Sequence, residues 1–293
     1  MEKIIVITGP TASGKSVLAV DIALKLNGEI VSADSRQVYK DLDVGTEKIK
    51  KEQMMGIPHH LISIIKPTET FSAYEYEKRA VETIDDILAR KKIPIICGGT
   101  GFYIDTICFK NSLAEVEPNK ELREKLSDKT NEEIFKILEK LDKKVANDID
   151  KDNPLRVVRA IEIIKKLGYL PKRKMEKRYD ALFIVLSAPE EILLQRIKQR
   201  LDNSWNSLIN ETKKCIKDGI DKKRLSQLSM YYRFAIEFIE ENIDKETAQE
   251  NIIKKVRLYS KQQIRWLKRN PHIQQFLYND TKGINDYIKK SLE

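Results

Sequence analysis

The 293-residue chain has 54 Lys and Arg against 45 Asp and Glu, a formal net charge of +9, and 41% hydrophobic residues, which excludes a disordered protein and allows a large core in more than one domain. No run approaches the roughly 18 consecutive apolar residues of a membrane span, and MEKIIVITG enters a strand pattern instead of a signal peptide's apolar stretch, so a cytoplasmic protein without a membrane partner is expected. Cys97, Cys108 and Cys215 have no CxxC spacing and only His59, His60 and His272 could join them, which argues against a disulfide framework and a zinc site.

Four short, β-branched apolar runs, at 3 to 7, 29 to 33, 93 to 97 and 182 to 186, alternate with stretches of helical spacing. That alternation predicts an α/β fold, a parallel sheet covered by helices on both faces. The first run leads into Gly9-Pro10-Thr11-Ala12-Ser13-Gly14-Lys15-Ser16, which fits G-x-x-x-x-G-K-[ST] in the strand-to-helix setting the motif needs. Glycines let backbone N–H groups close around phosphate oxygens, the following helix adds its dipole, Lys15 supplies a cation and Ser16 can hold Mg²⁺. The motif points to a polyphosphate ligand without saying whether that ligand is ATP.

The second run ends in Asp34-Ser35-Arg36-Gln37, on the crevice side of an open parallel sheet, where a carboxylate can bind a metal, take a proton or cap a helix. The third ends in Gly98-Gly99-Thr100-Gly101, which allows close backbone approach and offers the Thr100 hydroxyl. Between the third and fourth runs the spacing predicts a helical insertion over 112 to 178. Thr130-x-x-Glu133 is a capping box, and Asn153-Pro154 starts a helix that Gly168 closes. After the fourth run, Arg196 and Arg200 lie four apart on one helix face, where they can clamp phosphate or pair with carboxylates. A last long helix is predicted over 246 to 269.

The charge is unevenly spread: residues 151 to 200 and 251 to 293 each carry +7, while 1 to 150 carry −3 and 201 to 250 carry −2. Arg156 and Arg159 sit at a helix start, where positive charge opposes the dipole, and Lys254, Arg257, Lys261, Arg265 and Lys268 form one stripe of the last helix. Two such blocks favour a nucleic-acid backbone as partner over ordinary solubility.

GPTASGKS, EIVSADSRQVYKDLDVGTEK, GIPHHLI and PIICGGTGFYI, in this order, resemble the tRNA dimethylallyltransferases, also called tRNA isopentenyltransferases. The resemblance extends through Asp152 to Glu162 and through a YAKRQxTW-like element from Tyr259 to Trp266. It implies a P-loop NTPase-like core over 1 to 111 and 179 to 293 with an all-helical insertion contacting tRNA. It also implies transfer of the dimethylallyl group from dimethylallyl diphosphate to the N6 amine of the adenosine 3′-adjacent to the anticodon. Carried over by position, Asp34 would be the base, and Lys15 and Thr100 would share the catalytic centre. Gly9, Pro10, Thr11, Ala12, Ser13, Gly14, Lys15 and Ser16 would hold the donor diphosphate with Mg²⁺, joined by Arg196 and Arg200. Ser35, Arg36, Gln37, Thr100, Arg123, Leu155, Arg156, Val157, Val158, Arg159, Arg257, Lys261 and Arg265 would meet the anticodon stem-loop.

The pattern is broken around Asn203 to Trp205, at Tyr231 and at Gln262. The rival readings are an ATP-dependent small-molecule kinase, on the phosphate loop alone, and a tRNA-binding relative without activity. No obligatory protein partner is expected and the chain is read as a monomer.

Overall fold

The computed structural model describes residues 1–110, 114, 116–171, 176–270 and 273–292. The chain divides into two compact units, 1–109 with 177–293, and 110–176.

The larger unit is built on a six-stranded, all-parallel sheet. In chain order its elements are β1 (Lys3–Thr8), α1 (Lys15–Leu26), β2 (Gly28–Ser32), a one-turn 3₁₀ helix (Lys51–Met54), β3 (His59–His60), α2 (Ala73–Ala89), β4 (Ile93–Cys97) and α3 (Gly101–Cys108). A two-stranded ribbon follows from β5 (Phe109–Lys110), which pairs with β6 (Glu176–Lys177). Between them the smaller unit contains α4 (Lys120–Ser127), α5 (Asn131–Leu141), α6 (Lys143–Asp148) and α7 (Pro154–Leu167). The chain continues with β7 (Asp180–Ser187), α8 (Glu190–Lys217), α9 (Lys222–Leu228), α10 (Met230–Ile239), α11 (Lys245–Leu267), β8 (Gln274–Leu277) and α12 (Thr281–Leu292). The strand order is β3-β2-β4-β1-β7-β8. The four apolar runs are thus the inner strands β2, β4, β1 and β7. The two edges, His59–His60 and Gln274–Leu277, lack the run of β-branched residues that a strand buried on both faces requires, and the sequence pattern passed over them.

Alternate residues of β1 feed two separate cores. Ile4 and Val6 meet Tyr76, Ala80, Ile84 and Ile87 of α2 and Ile104 and Ile107 of α3. Ile5 and Ile7 meet Ala19, Val20, Ile22 and Ala23 of α1 and Ile284 and Ile288 of α12. At about 2 kcal/mol for each large side chain removed from water, this double burial holds the central strand and the loop that leaves it. A third core gathers Leu201, Trp205 and Leu208 of α8 with α9, α10 and α11 beneath Val38, Tyr39 and Leu42. Trp205, which departs from the family pattern, is 4% exposed and packs edge-on against Phe238.

In the smaller unit the cap signals operate as chemistry requires. Thr130 accepts from the Glu133 N–H at 3.3 Å while the Glu133 carboxylate accepts from the Thr130 N–H at 2.8 Å. Asn153 caps α7, with Pro154 at its start and Gly168 at φ 82° ending it. Its core is Ile134, Leu138, Val157, Ala160, Ile161 and Ile164. Buried Glu162 takes Arg123 at 2.7 Å, Arg159 at 3.1 Å and the Asn119 N–H at 3.0 Å, and these partners hold its carboxyl below the usual range against the opposing effect of burial.

A second buried carboxylate locks the edge of the sheet. Glu29, 2% exposed in β2, accepts from Arg90, from Lys92 at 2.7 Å and from His60 at 2.8 Å. The Arg90 hydrogen bond is the main cause that holds its carboxyl far below the ordinary 4.5, with burial opposing and Lys92 and His60 assisting. A depressed carboxylate pKa contributes stability that is present above the unfolded value and lost as pH falls through the folded one. Glu29→Gln should therefore cost on the order of 3 kcal/mol at pH 7. Thermal melts from pH 6 to pH 3 should show a smaller acid-induced loss in the variant than in the wild type; parallel curves would mean that Glu29 does not carry the acid sensitivity.

Candidate active site

Because every strand runs the same way, the loops that leave β1, β2 and β4 emerge together at the carboxyl edge of the sheet. The first is Gly9 to Ser16. At φ 147°, Gly9 lies so close to β7 that an added Cβ would be 2.4 Å from the Leu186 carbonyl oxygen. Gly14, at φ 95°, turns the chain into α1. The loop folds over its own lysine, with Lys15 Nζ donating to the Pro10 carbonyl at 2.7 Å. Burial lowers the Lys15 pKa, opposed by Cys97, Asp34 and Glu47 and assisted by Arg200, so these groups share one electrostatic environment. Ser13 is 1% exposed, and its Oγ has no hydrogen-bond partner. An orphaned buried hydroxyl inside a phosphate loop fits an anionic oxygen ligand.

The second loop starts at Asp34. Its Oδ1 accepts from the Arg36 N–H at 2.8 Å and from the Gln37 N–H at 3.4 Å. No helix starts here, so Asp34 caps a turn and not the helix that the sequence left open, and both bonds fall on one oxygen, which leaves Oδ2 for a proton. The third loop follows β4 into α3. Thr100 Oγ1 accepts from the Ser35 N–H at 3.0 Å, and the Thr100 N–H donates to the Ala33 carbonyl at 3.1 Å. Gly98 allows this approach, since a Cβ there would meet the Ala33 carbonyl oxygen at 2.2 Å. Lys15, Asp34 and Thr100 are thereby gathered at one crevice.

α11 seals the arrangement. Gln263, 7% exposed, accepts from the Thr11 N–H at 3.2 Å and donates to the Gly99 carbonyl at 3.0 Å, bridging the phosphate loop and the glycine turn. One turn away, Tyr259 lies beside Thr100 and Gln263, and burial pushes its hydroxyl pKa up. Trp266 packs on Gly101, where a Cβ would come within 2.1 Å of the indole, and donates to Asp105 at 3.0 Å. Gln263 and Trp266 both lie in the YAKRQxTW-like element from Tyr259 to Trp266, but that element gives neither a partner, and only the fold shows them closing on the glycine turn.

Other expected site residues have more specific surroundings. Arg196 donates to the Ala12 carbonyl at 3.1 Å and lies over the Tyr278 ring at 4.3 Å, so it braces the loop backbone. Arg200 pairs with Glu47, a carboxylate in the second family-like element to which the sequence assigns no role, and the Tyr231 hydroxyl donates to the same carboxylate. Arg257 and Lys261 pair with Glu190, whereas Arg265 is exposed on the same face of α11.

In the smaller unit Leu155 is 79% exposed and Arg156 is exposed. Val157 is a correction: at 1% exposure it belongs to that unit's core, because its place on α7 faces α5, and it offers RNA no surface. Val158 packs partly against the same core. Arg123 and Arg159 are turned toward Glu162. Among the described residues no group of three or more His, Cys, Asp and Glu side chains is placed to hold a metal, and no helix is long and apolar enough to cross a membrane. His272 lies outside the described residues.

A glycine-rich loop on a parallel sheet, with a lysine beneath it and a carboxylate opposite, defines a P-loop-like α/β protein. Residues 37–270 match the family described as IPP transferase. A tRNA dimethylallyltransferase of Thermoanaerobacter sp. (strain X514) is 41% identical, with 99% of this chain and 96% of that protein covered. The full-length tRNA isopentenylpyrophosphate transferase of Bacillus halodurans superposes with a TM-score of 0.75 at 32% identity, over 99% of this chain and 96% of that one. A eukaryotic dimethylallyltransferase captured acting on tRNA gives a TM-score of 0.83 at 27% identity, over 100% of this chain and 78% of that one. The chain belongs to the tRNA dimethylallyltransferase family, a class of prenyltransferases. That membership removes the small-molecule kinase as a reading of the phosphate loop.

Gln263→Leu should leave the Thr11 N–H and the Gly99 carbonyl unpaired and cost about 1 to 3 kcal/mol in denaturant unfolding. An unchanged unfolding midpoint would show that the bridge does not hold the two loops.

Proposed function

We propose that the chain transfers a dimethylallyl group from dimethylallyl diphosphate to the N6 amine of the adenosine next to the tRNA anticodon on its 3′ side, with release of pyrophosphate. The observation that carries this reading is the meeting of the Lys15 loop and Asp34 at one crevice, joined through Thr100 and Gln263. One ligand must bring phosphates and the other a proton to be removed.

Gly9, Pro10, Thr11, Ala12, Ser13 and Gly14 surround the diphosphate, and Ser13 Oγ gains the partner it lacks. An adenine N6 amine is a weak nucleophile because its lone pair is delocalised into the ring. As its nitrogen bonds to the allylic carbon, the carbon–oxygen bond to the diphosphate breaks and Asp34 Oδ2 takes the amine proton. Lys15 and Arg200 stabilise the negative charge that grows on the departing pyrophosphate, while Arg196 keeps the loop in shape. Thr100, oriented by the Ser35 N–H, and Tyr259 border the position of the amine.

Mg²⁺ suits this crevice. It keeps several waters and takes one or two protein oxygens plus phosphate oxygens, and the Ser16 hydroxyl at the first turn of α1 is such an oxygen. When bound it would supply charge neutralisation of the diphosphate.

The exposed face of α11, with Arg265 and Lys268 and the paired Lys254, Arg257 and Lys261, suits an RNA backbone, as does Arg156 on α7 beside the exposed Leu155. Ser35, Arg36 and Gln37 lie beside Asp34 to meet the extracted base.

Incubation with unmodified tRNA and dimethylallyl diphosphate, followed by mass spectrometry of the nucleosides, should reveal one prenylated adenosine per substrate tRNA. Binding without added mass would leave only an inactive relative. Asp34→Asn should lower the transfer rate by about 10² to 10⁴ with tRNA affinity retained; equal loss of both would make Asp34 structural. Affinity for tRNA should fall steeply with added salt, and Arg265→Ala should reduce that slope by about one. A salt-insensitive complex would remove α11 from the interface.

A further inference from the structure

Glu47 lies in the EIVSADSRQVYKDLDVGTEK element, which gives it no role, yet the structure commits much to its placement. Its backbone sits at φ 54°, a left-handed conformation that a side chain disfavours. The preceding loop is fixed by Glu211 of α8, whose carboxylate accepts from the N–H groups of Asp43, Val44 and Gly45 at 2.9 to 3.0 Å. The Tyr232 hydroxyl donates to Glu211 at 2.5 Å, and its ring lies where a Gly45 Cβ would fall, 2.4 Å away. Gln37 Nε2 then donates to the Glu47 carbonyl at 3.3 Å. The outcome is a carboxylate, 17% exposed, that faces the Arg200 guanidinium and receives the buried Tyr231 hydroxyl.

Arg200 responds asymmetrically. Its Nη2 is buried against Glu47, yet the side chain as a whole remains 40% exposed. A guanidinium is a rigid fork, so fixing one edge fixes where the other points. A half-exposed ion pair contributes little to stability, which leaves the strained backbone without a stabilising return from this contact alone. Arg196, one turn earlier on α8, donates to the Ala12 carbonyl at 3.1 Å, which places this stretch of helix and the Glu47–Arg200 pair at the phosphate loop, where both act on Lys15.

We propose that Glu47 is a positioning residue that, with Tyr231, pins one edge of Arg200 so that the other edge is presented to the donor's diphosphate. The inference rests on the donor-site reading above and adds how that site is preorganised. The opposite device, a latch in which Glu47 occupies Arg200 until diphosphate displaces it, predicts a change of opposite sign.

The test uses the full chain and inorganic pyrophosphate with Mg²⁺ as probe, followed by calorimetry and by donor KM and kcat on tRNA. Glu47→Gly, which relieves the left-handed strain, should weaken pyrophosphate binding about tenfold and raise donor KM, while tRNA affinity stays unchanged. Glu47→Gln, which keeps shape and an acceptor for Arg200 and Tyr231, should recover most of that loss. In an Arg200→Ala background Glu47→Gly should have no further effect, because it acts only through that arginine. Tighter pyrophosphate binding in Glu47→Gly would establish the latch and overturn the proposal. An equal loss in both backgrounds, or a wild type that does not bind pyrophosphate, would overturn it as well. A wild type that binds pyrophosphate and shows the Arg200-dependent loss, but leaves tRNA unmodified, would uphold the positioning role and refute the prenyl-transfer reading.

Discussion

Six strands point the same way, and the site depends on that constraint. A parallel sheet brings every strand's carboxyl end to one edge, so the turns after β1, β2 and β4 must share a crevice although residues 9, 34 and 98 are far apart in sequence. What the sheet cannot do is hold these turns at working distance, because each is a loop with few apolar contacts of its own. Close backbone approach at Gly9 and Gly98 and the bonds from Thr100 to the β2 turn supply part of that restraint. Gln263 supplies the rest by tying the phosphate loop to the glycine turn from a helix more than 160 residues away in sequence.

α11 thus has two roles set by its two faces. The buried face ends in Gln263 and Trp266, which grip the β4 turn, while the opposite face carries the exposed basic stripe. A rigid helix that touches the active-site loops on one side and is charged for a polyanion on the other can register the substrate against the chemistry without a moving part.

Charge is compensated locally in both units. Glu29 is surrounded by Arg90, Lys92 and His60, and Glu162 by Arg123 and Arg159. The net charge of +9 therefore overstates the free cations: Arg123 and Arg159 serve the fold of their own unit as well as its surface, and Arg257 and Lys261 share Glu190. Within the crevice Lys15, Arg200, Asp34 and Glu47 form a mixed set, so in the proposed reading the donor groups are set by placement more than by excess charge.

The inner strands, the phosphate loop, the Asp34 turn and the caps of α5 and α7 were legible because each depends on local order: alternation on a pleated surface, glycines at strained φ, a side chain bonded to an N–H three residues on. β3 and β8 were not, since edge strands need no apolar run. Val157 was misplaced because an RNA-contacting stretch was carried over as a block, whereas a helix divides its residues between core and solvent by angle. The partners of Gln263, Glu47 and Glu211 could be seen only in three dimensions. They lie 20 to 250 residues distant, and no spacing rule encodes a contact made across a fold. The sequence by itself determined the inner strands of the sheet, the phosphate-loop motif and the family. Tertiary structure alone decided which carboxylates face which cations, because the partners of a buried charge are set by packing that no local pattern contains.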